Sequence, residues 1–219
     1  MKSKIISINL ILMTFFFQTR CQNMDVIKLP KPNLKSNVSV EEALQSRRSV
    51  RAYKKENLTI EEVSQLLWAA YGTTKGKKKT CPSAGATYPL ELYLVCGEVN
   101  GLKTGLYRYV PDDHSLKLVL TEDLRKKLME ASLHQEYILE APISIVIAAD
   151  FMRTTRVYGS RGERYVYMEV GHCGQNIHLQ CESLKLGTVI IGAFEDDKVK
   201  NILKIKEEPL YIMPVGRKL

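Results

Sequence analysis

The run Ile143–Ala149 (ISIVIAA) constrains the fold more than any other segment. It offers almost nothing polar to water on either side, and Pro142 stops whatever precedes it. A run this short suits a strand, and an apolar strand must be covered on both faces. Leu90–Cys96 (LELYLVC), with its alternation and β-branched content, reads as another strand. Residues 106–110 and 116–120 flank the turn sequence PDDH and predict a hairpin. Residues 188–191 read as a further buried strand, and residues 210–215 as the last one. Ser39 with Glu42, and Thr59 with Glu62, form two capping boxes that open helices. The second helix carries Val63, Leu66, Leu67 and Ala70 on one face and ends at Gly72. Residues 121–133 and 196–203 also read as helices. The longest helix candidate is 163–186, with Val166, Val170, Ile177, Cys181 and Leu184 near one stripe and Gly187 at its end. A hairpin, buried strands and separate helices argue an α+β fold: a central mixed or antiparallel sheet flanked by helices.

The 219 residues suffice for one compact domain. Residues 1–4 are a short basic start and 5–17 an almost uninterrupted apolar run. About thirteen apolar residues fall short of the roughly twenty a membrane span needs, but suit a signal-peptide core. Residues 1–21 are therefore expected to be a signal peptide or lipoprotein leader, and 22–38 an extended lead-in. Export to the periplasm or a lipid anchor at the cell envelope follows; a cytoplasmic chain with an apolar tail is the alternative. Membrane attachment is expected only if Cys21 is lipidated, and Arg20 stands where a lipobox wants a small residue. The net charge of +8 includes three positives in that leader; the remainder has 29 basic and 24 acidic residues. So modest an excess reads as ordinary surface charge, and no nucleic-acid partner is expected. Cys81, Cys96, Cys173 and Cys181 show no CxxC or Cys/His spacing, so neither a zinc site nor a disulfide framework is expected.

Three segments offer chemistry. Arg47, Arg48 and Arg51 cluster beside Ser49 near a helix end. Guanidinium forks grip a phosphate or carboxylate and a hydroxyl adds a neutral donor, although the same spacing also describes a solvated basic face. Arg217 and Lys218 form a second basic pair after Gly216, and the two clusters would suit one anion if the fold brings them together. Pro82, Ser83, Ala84, Gly85 and Ala86 let backbone approach a flat ligand closely, or simply make a turn before a strand. Ile190, Ile191, Gly192 and Ala193 put a glycine at an apolar strand end, where ligand sites commonly form. No GxSxG elbow, P-loop, GxGxxG or HExxH appears. His172 and His178 lie six apart on the long helix and face different sides, which fits packing or solvent roles. A site with these features and no identifiable catalytic acid, base or nucleophile leaves the reaction to a cofactor.

In order along the chain, these pieces resemble the nitroreductase superfamily. The run RRSVR at 47–51 with Tyr53 is similar to its N-terminal Arg-x-Ser-x-Arg signature. PSAGATYPLELYL at 82–94 resembles the more specific segment of the SagB-type dehydrogenase branch. GLYRY at 105–109 with His114 and Leu116, the pattern Glu169, Gly171, Gln175, Asn176 and Leu179, then GAF at 192–194 and PVG at 214–216 complete the series. The resemblance covers residues 40–219 and makes 39–219 a nitroreductase-like domain. It implies an FMN-binding homodimer with active sites at the subunit interface. Arg47, Arg48, Ser49 and Arg51 would hold the phosphate and ribityl chain or the flavin's polar edge, with Arg217 and Lys218 reaching the same phosphate. Pro82 to Ala86 would come from the second subunit against the flavin. Ile190, Ile191, Gly192 and Ala193 would line the ring.

The expected activity is an FMN-dependent oxidoreductase passing hydride, in ping-pong fashion, from NAD(P)H or an organic donor to a small-molecule acceptor. The short chain and its leader argue against azoline oxidation, the reaction of SagB-type enzymes in peptide-modifying clusters. The competing reading is an exported flavin- or ligand-binding protein without turnover on the same scaffold.

Overall fold

A computed structural model describes residues 26–219; the predicted leader and Cys21 lie outside the described residues. In chain order the strands are β1 (Val26–Lys28), β2 (Leu58–Thr59), β3 (Leu90–Cys96), β4 (Val99–Asn100), β5 (Gly105–Val110), β6 (Ser115–Leu120), β7 (Ile143–Ala149), β8 (Leu186–Thr188) and β9 (Glu208–Arg217). The helices are α1 (Val40–Ser46), α2 (Ile60–Tyr71), α3 (Arg125–Ala131), α4 (Tyr137–Glu140), α5 (Phe151–Tyr158), α6 (Arg161–Ser183) and α7 (Asp196–Leu203). Seven strands form one sheet in the order β1-β6-β5-β3-β7-β9-β8. Every pairing in it is antiparallel; the parallel pair β2-β4 stands apart.

The apolar run of β7 sits inside this sheet, between β3 and β9, and is buried along its whole length. Its alternation divides two cores. Ile143, Ile145, Ile147 and Ala149 join Leu90, Leu92, Leu94 and Met213 under α2 and α6. Val146 and Ala148 join Tyr93, Val95 and Ile212 under α3, α4 and α7. Helices on both faces explain how an antiparallel sheet accommodates a strand with no solvent side.

Both capping boxes close as read: Ser39 and Glu42 cap α1, Thr59 and Glu62 cap α2. Several placements differ from expectation. The long helix stops at Ser183, because Lys185 turns left-handed (φ 58) and releases Leu186 into β8. The strand expected at 188–191 is displaced to Leu186–Thr188, leaving Ile191 as a single bridge to Ile212. The helix expected over 121–133 shrinks to α3, flanked by an Asp123 turn on one side and left-handed Leu133 and His134 on the other. The sequence did not reveal α5, an eight-residue helix capped by Asp150, which accepts from the Met152 N–H at 3.0 Å. Of the lead-in expected over 22–38, Val26–Lys28 form β1 at the sheet edge, residues 29–38 follow without helix or strand, and the Asn33 N–H donates to Gln65 at 2.8 Å. Among the described residues no helix is long and apolar enough to cross a membrane, and no cluster of metal-binding side chains is present.

Candidate functional site

The basic cluster lies on an extended strap, residues 47–54, that leaves α1 and crosses the ends of β8 and β9. The Val50 N–H donates to the Thr188 carbonyl at 2.9 Å, and the Lys54 N–H to the Arg217 carbonyl at 3.0 Å. Two glycines allow this close approach. A Cβ on Gly187 would stand 2.7 Å from Val50 Cβ, and one on Gly216 would stand 2.9 Å from the Tyr53 ring. The Tyr53 hydroxyl in turn finds the Val50 carbonyl at 2.8 Å beneath the strap. Burial raises its phenol pKa far above the usual value.

With Val50 turned inward, Ser49 and Arg51 are exposed and Arg47 half-buried. Arg48 is engaged locally, donating to the Gln45 and Arg47 carbonyls at 3.0 and 2.8 Å, which caps the end of α1. Among the described residues, Arg47 and Arg51 have no carboxylate partner. The C-terminal basic pair does come beside the strap, with Tyr53 bridging Lys218. Its charges are answered there: Arg217 reaches Glu56 at 3.2 Å and Glu62 at 3.0 Å, and Lys218 reaches Glu182 at 2.6 Å. Behind the strap, His178 of α6 is buried, whereas His172 is exposed, so the two do face different sides. Burial first, and the Arg47 charge second, push the His178 pKa down to about 4, with Glu182 opposing.

The small-residue loop is a second construction. Gly85 is required twice over: its φ is +57°, and a Cβ there would meet the Tyr158 hydroxyl at 2.6 Å. Ala86 (φ 52) and Tyr88 (φ 46) are also left-handed, a conformation costing about 1–2 kcal/mol per residue that persists only when surroundings fix it. They are fixed here. The Tyr88 N–H donates to Ser83 Oγ at 3.0 Å, and Arg153 donates to the Tyr88 carbonyl at 3.0 Å. Thr87 Oγ1 meets Thr154 Oγ1 at 2.8 Å. Behind the loop, Glu169 of α6 is only 2 % exposed and accepts from the Tyr71 hydroxyl at 2.6 Å. Burial raises its carboxyl pKa, against the hydrogen bonds from Ser83 and Tyr71 and the charge of His172.

The third segment is anchored by mutual Ile191 and Ile212 backbone hydrogen bonds at 2.9 and 3.0 Å. Gly192 and Ala193 are exposed beyond it, and the Ala193 carbonyl accepts from Gln135 at 3.0 Å. Ile190 is half-buried, close over Gly174 of α6. Among the described residues no hydrogen bond or ion pair joins the loop to the strap. Glu169, behind the loop, and Glu182, paired with Lys218 beside the strap, lie thirteen residues apart on α6, roughly 20 Å at a rise of about 1.5 Å per residue. A cleft of 310 Å³ lined by Val40, Trp68 and Leu179 lies beside α1, but none of the predicted site residues lines it.

The model of the nitroreductase family matches residues 44–217. The chain belongs to that family. A Methanocaldococcus jannaschii protein bearing the family's name is 50% identical over 196 residues, which is 89% of this chain and 98% of that one. A Ralstonia eutropha crystal structure, also named as a nitroreductase, superposes with a TM-score of 0.79 at 28% identity, covering 89% of this chain and 90% of the other. The NADPH:FMN oxidoreductase of Vibrio harveyi, solved with NAD+, shares the fold with a TM-score of 0.59 at 17% identity, over 82% of this chain and 68% of its own. Within this nitroreductase-family fold, sequence reasoning overlooked Tyr71, Tyr158 and Thr154, which shape the small-residue loop. Tyr71 and Thr154 follow no motif; only the missed α5 helix, legible from Asp150 as a cap, pointed to Thr154 and Tyr158.

Proposed function

We propose that the protein is an FMN-dependent oxidoreductase of the SagB-like kind, passing hydride in two half-reactions between NAD(P)H or an organic donor and a small-molecule acceptor. The observation that carries this reading is the strap: two arginines without carboxylate partners and an exposed serine hydroxyl, seated by Gly187 and Gly216 in a nitroreductase-family fold. The donor set fits the cofactor. Arg47, Arg51 and Ser49 match a phosphate dianion, the strained loop at Gly85 leaves exposed backbone for a flat ring, and Gly192 and Ala193 add uncharged backbone. FMN would supply the hydride chemistry that no side chain offers. The chain's own residues would bind and orient: Arg47 and Arg51 hold the anion, Arg217 steadies the strap through Glu56 and Glu62, and residues 190–193 line the ring.

A flavin touching both would take loop and strap from different protomers of a homodimer, as the resemblance to the family implies. Exposed Met152, Val157, Tyr167 and Met168 on α5 and α6 supply an apolar face for that pairing. The SagB-like assignment rests on PSAGATYPLELYL at 82–94. Titration of the purified protein with FMN, followed by flavin fluorescence, tests the reading. Losing one charged hydrogen bond of roughly 1.5–3 kcal/mol, Arg51→Ala should weaken binding by about tenfold to a hundredfold. Equal affinity for FMN in wild type and variant would refute the strap as the phosphate site.

A further inference from the structure

The turn at residues 83–88 is strained where it enters β3. Ala86 and Tyr88 are left-handed without being glycine, and Pro89 pushes the residue before it toward extended backbone. Bonds inside the turn give it its fold. The Ala86 N–H donates to the Ser83 carbonyl at 3.1 Å, the Thr87 N–H to the Ala84 carbonyl at 3.2 Å, and the Tyr88 N–H to Ser83 Oγ at 3.0 Å. None of these bonds ties the turn to the rest of the protein. The start of α5 does so: the Asp150 N–H donates to the Pro89 carbonyl at 2.9 Å, and Arg153 Nη1 to the Tyr88 carbonyl at 3.0 Å. Thr154 Oγ1 adds its 2.8 Å contact with Thr87 Oγ1, and Tyr158, four residues further along the same helix face, stands over Gly85.

Within this set, Arg153 is aimed by the sheet. Its Nη2 donates to Glu91 Oε1 at 2.5 Å, and its Nε lies 3.5 Å from Asp150 Oδ2. Glu91 stands on β3 and is only 7 % exposed; its second oxygen accepts from Nε and Nη2 of Arg108, on β5, at 3.0 and 2.8 Å. A carboxylate held on both oxygens fixes the guanidinium that it faces. The relay Arg108–Glu91–Arg153 thus runs from two sheet strands through α5 to the Tyr88 carbonyl. A planar fork can serve a carboxylate and a carbonyl together in fixed directions, which the compact ammonium of lysine cannot.

We infer that Arg153 is a positioning residue: aimed by Glu91, it holds the Tyr88 carbonyl and so sets how the 83–88 turn offers its backbone to the cofactor. The inference rests on the reading of this turn as the flavin-facing one, but its mechanical half concerns the turn alone. Arg153 acts through the turn, and replacing it removes no hydrogen bond inside the turn. Arg153→Met keeps the apolar stem without donors; Arg153→Lys keeps the charge and loses the fork.

The test is amide hydrogen exchange by mass spectrometry on wild type, R153M and R153K without added ligand, then flavin-site kinetics on those that bind FMN. In R153M the peptide covering residues 83–88 should exchange about tenfold faster, while β5 and β7 stay protected. R153K should exchange about threefold faster than wild type, which keeps the test decisive should R153M fail to fold. With FMN bound, R153M should lower kcat more than it raises KM for the donor and shift the flavin absorption band, and R153K should recover part of both. Wild-type exchange at 83–88 in a folded R153M, or in R153K if R153M does not fold, overturns the inference whatever FMN does. Faster exchange with an unaltered flavin band and kinetics also overturns it, by removing the link from turn to cofactor. If wild type binds no FMN, the function proposed above fails, and the exchange result still decides whether Arg153 positions the turn.

Discussion

Replacing Gly187 with alanine tests how the strap is seated. The added methyl would lie 2.7 Å from Val50 Cβ, 2.7 Å from Cγ1 and 2.9 Å from Cγ2, against ordinary carbon contacts of about 3.5–4.0 Å. Val50 is tied to Thr188 by a 2.9 Å backbone hydrogen bond, so it cannot retreat without stretching that bond. Overpacking of this kind costs about 1–3 kcal/mol, which for a domain of this size lowers the melting temperature by roughly 2–12 °C. The same retreat carries Ser49 and Arg51 with it. Misplacing one charged hydrogen bond of about 1.5–3 kcal/mol weakens FMN binding by roughly tenfold to a hundredfold. Thermal melting and FMN fluorescence titration measure the two effects on the same preparation. Val50→Ala in the G187A background removes the two Cγ contacts and leaves the Cβ one, so it should restore both quantities in part. A G187A protein that melts and binds FMN like wild type would refute the seating argument, as would a double variant no better than the single one.

Three further outcomes follow from the geometry. Tyr71→Phe removes a donor from a buried carboxyl and should cost about 1–3 kcal/mol in urea unfolding; an unchanged midpoint would show that the hydrogen bond contributes nothing. His178 has its folded pKa lowered to about 4, so the unfolded chain binds the proton more readily between there and the unfolded value of about 6.5. Stability should therefore fall as pH drops through that window, by at most about 3 kcal/mol, and His178→Gln should flatten the dependence; superimposable wild-type and variant curves would contradict this. Tyr167→Glu places a charge on the exposed apolar face and should convert a dimer into a monomer by light scattering, with loss of FMN; a monomeric wild type would remove the two-protomer site.

Much of the fold was legible because its signals are local. A capping box is read and satisfied within four residues, so α1 and α2 start where Ser39 and Thr59 place them. The two-sided burial of β7 follows from its side chains alone, and β3 and α7 fall on their expected residues. What escaped depends on tertiary partners. Leu186 is apolar and helix-compatible, yet it leaves α6 for β8 because β9 offers it an edge opposite Arg217. Helix α5 has a strongly amphipathic but short and polar sequence, and it is held by packing along α6 more than by its own pattern. At the site, the arginines and glycines stood out by type. Their division of labour did not: nothing in the order of residues says that Arg48 caps a helix, that Arg217 is answered by Glu56 and Glu62, or that Glu169 and Tyr71 meet.

The central claim, a flavin-bearing oxidoreductase, is tested most directly by the visible absorbance spectrum of the purified protein before and after anaerobic addition of NADH or NADPH. The account predicts oxidised-flavin bands, as purified or after adding FMN, that bleach when the reduced nicotinamide or an organic hydride donor is supplied. A folded protein showing no flavin bands even after FMN is added would contradict it.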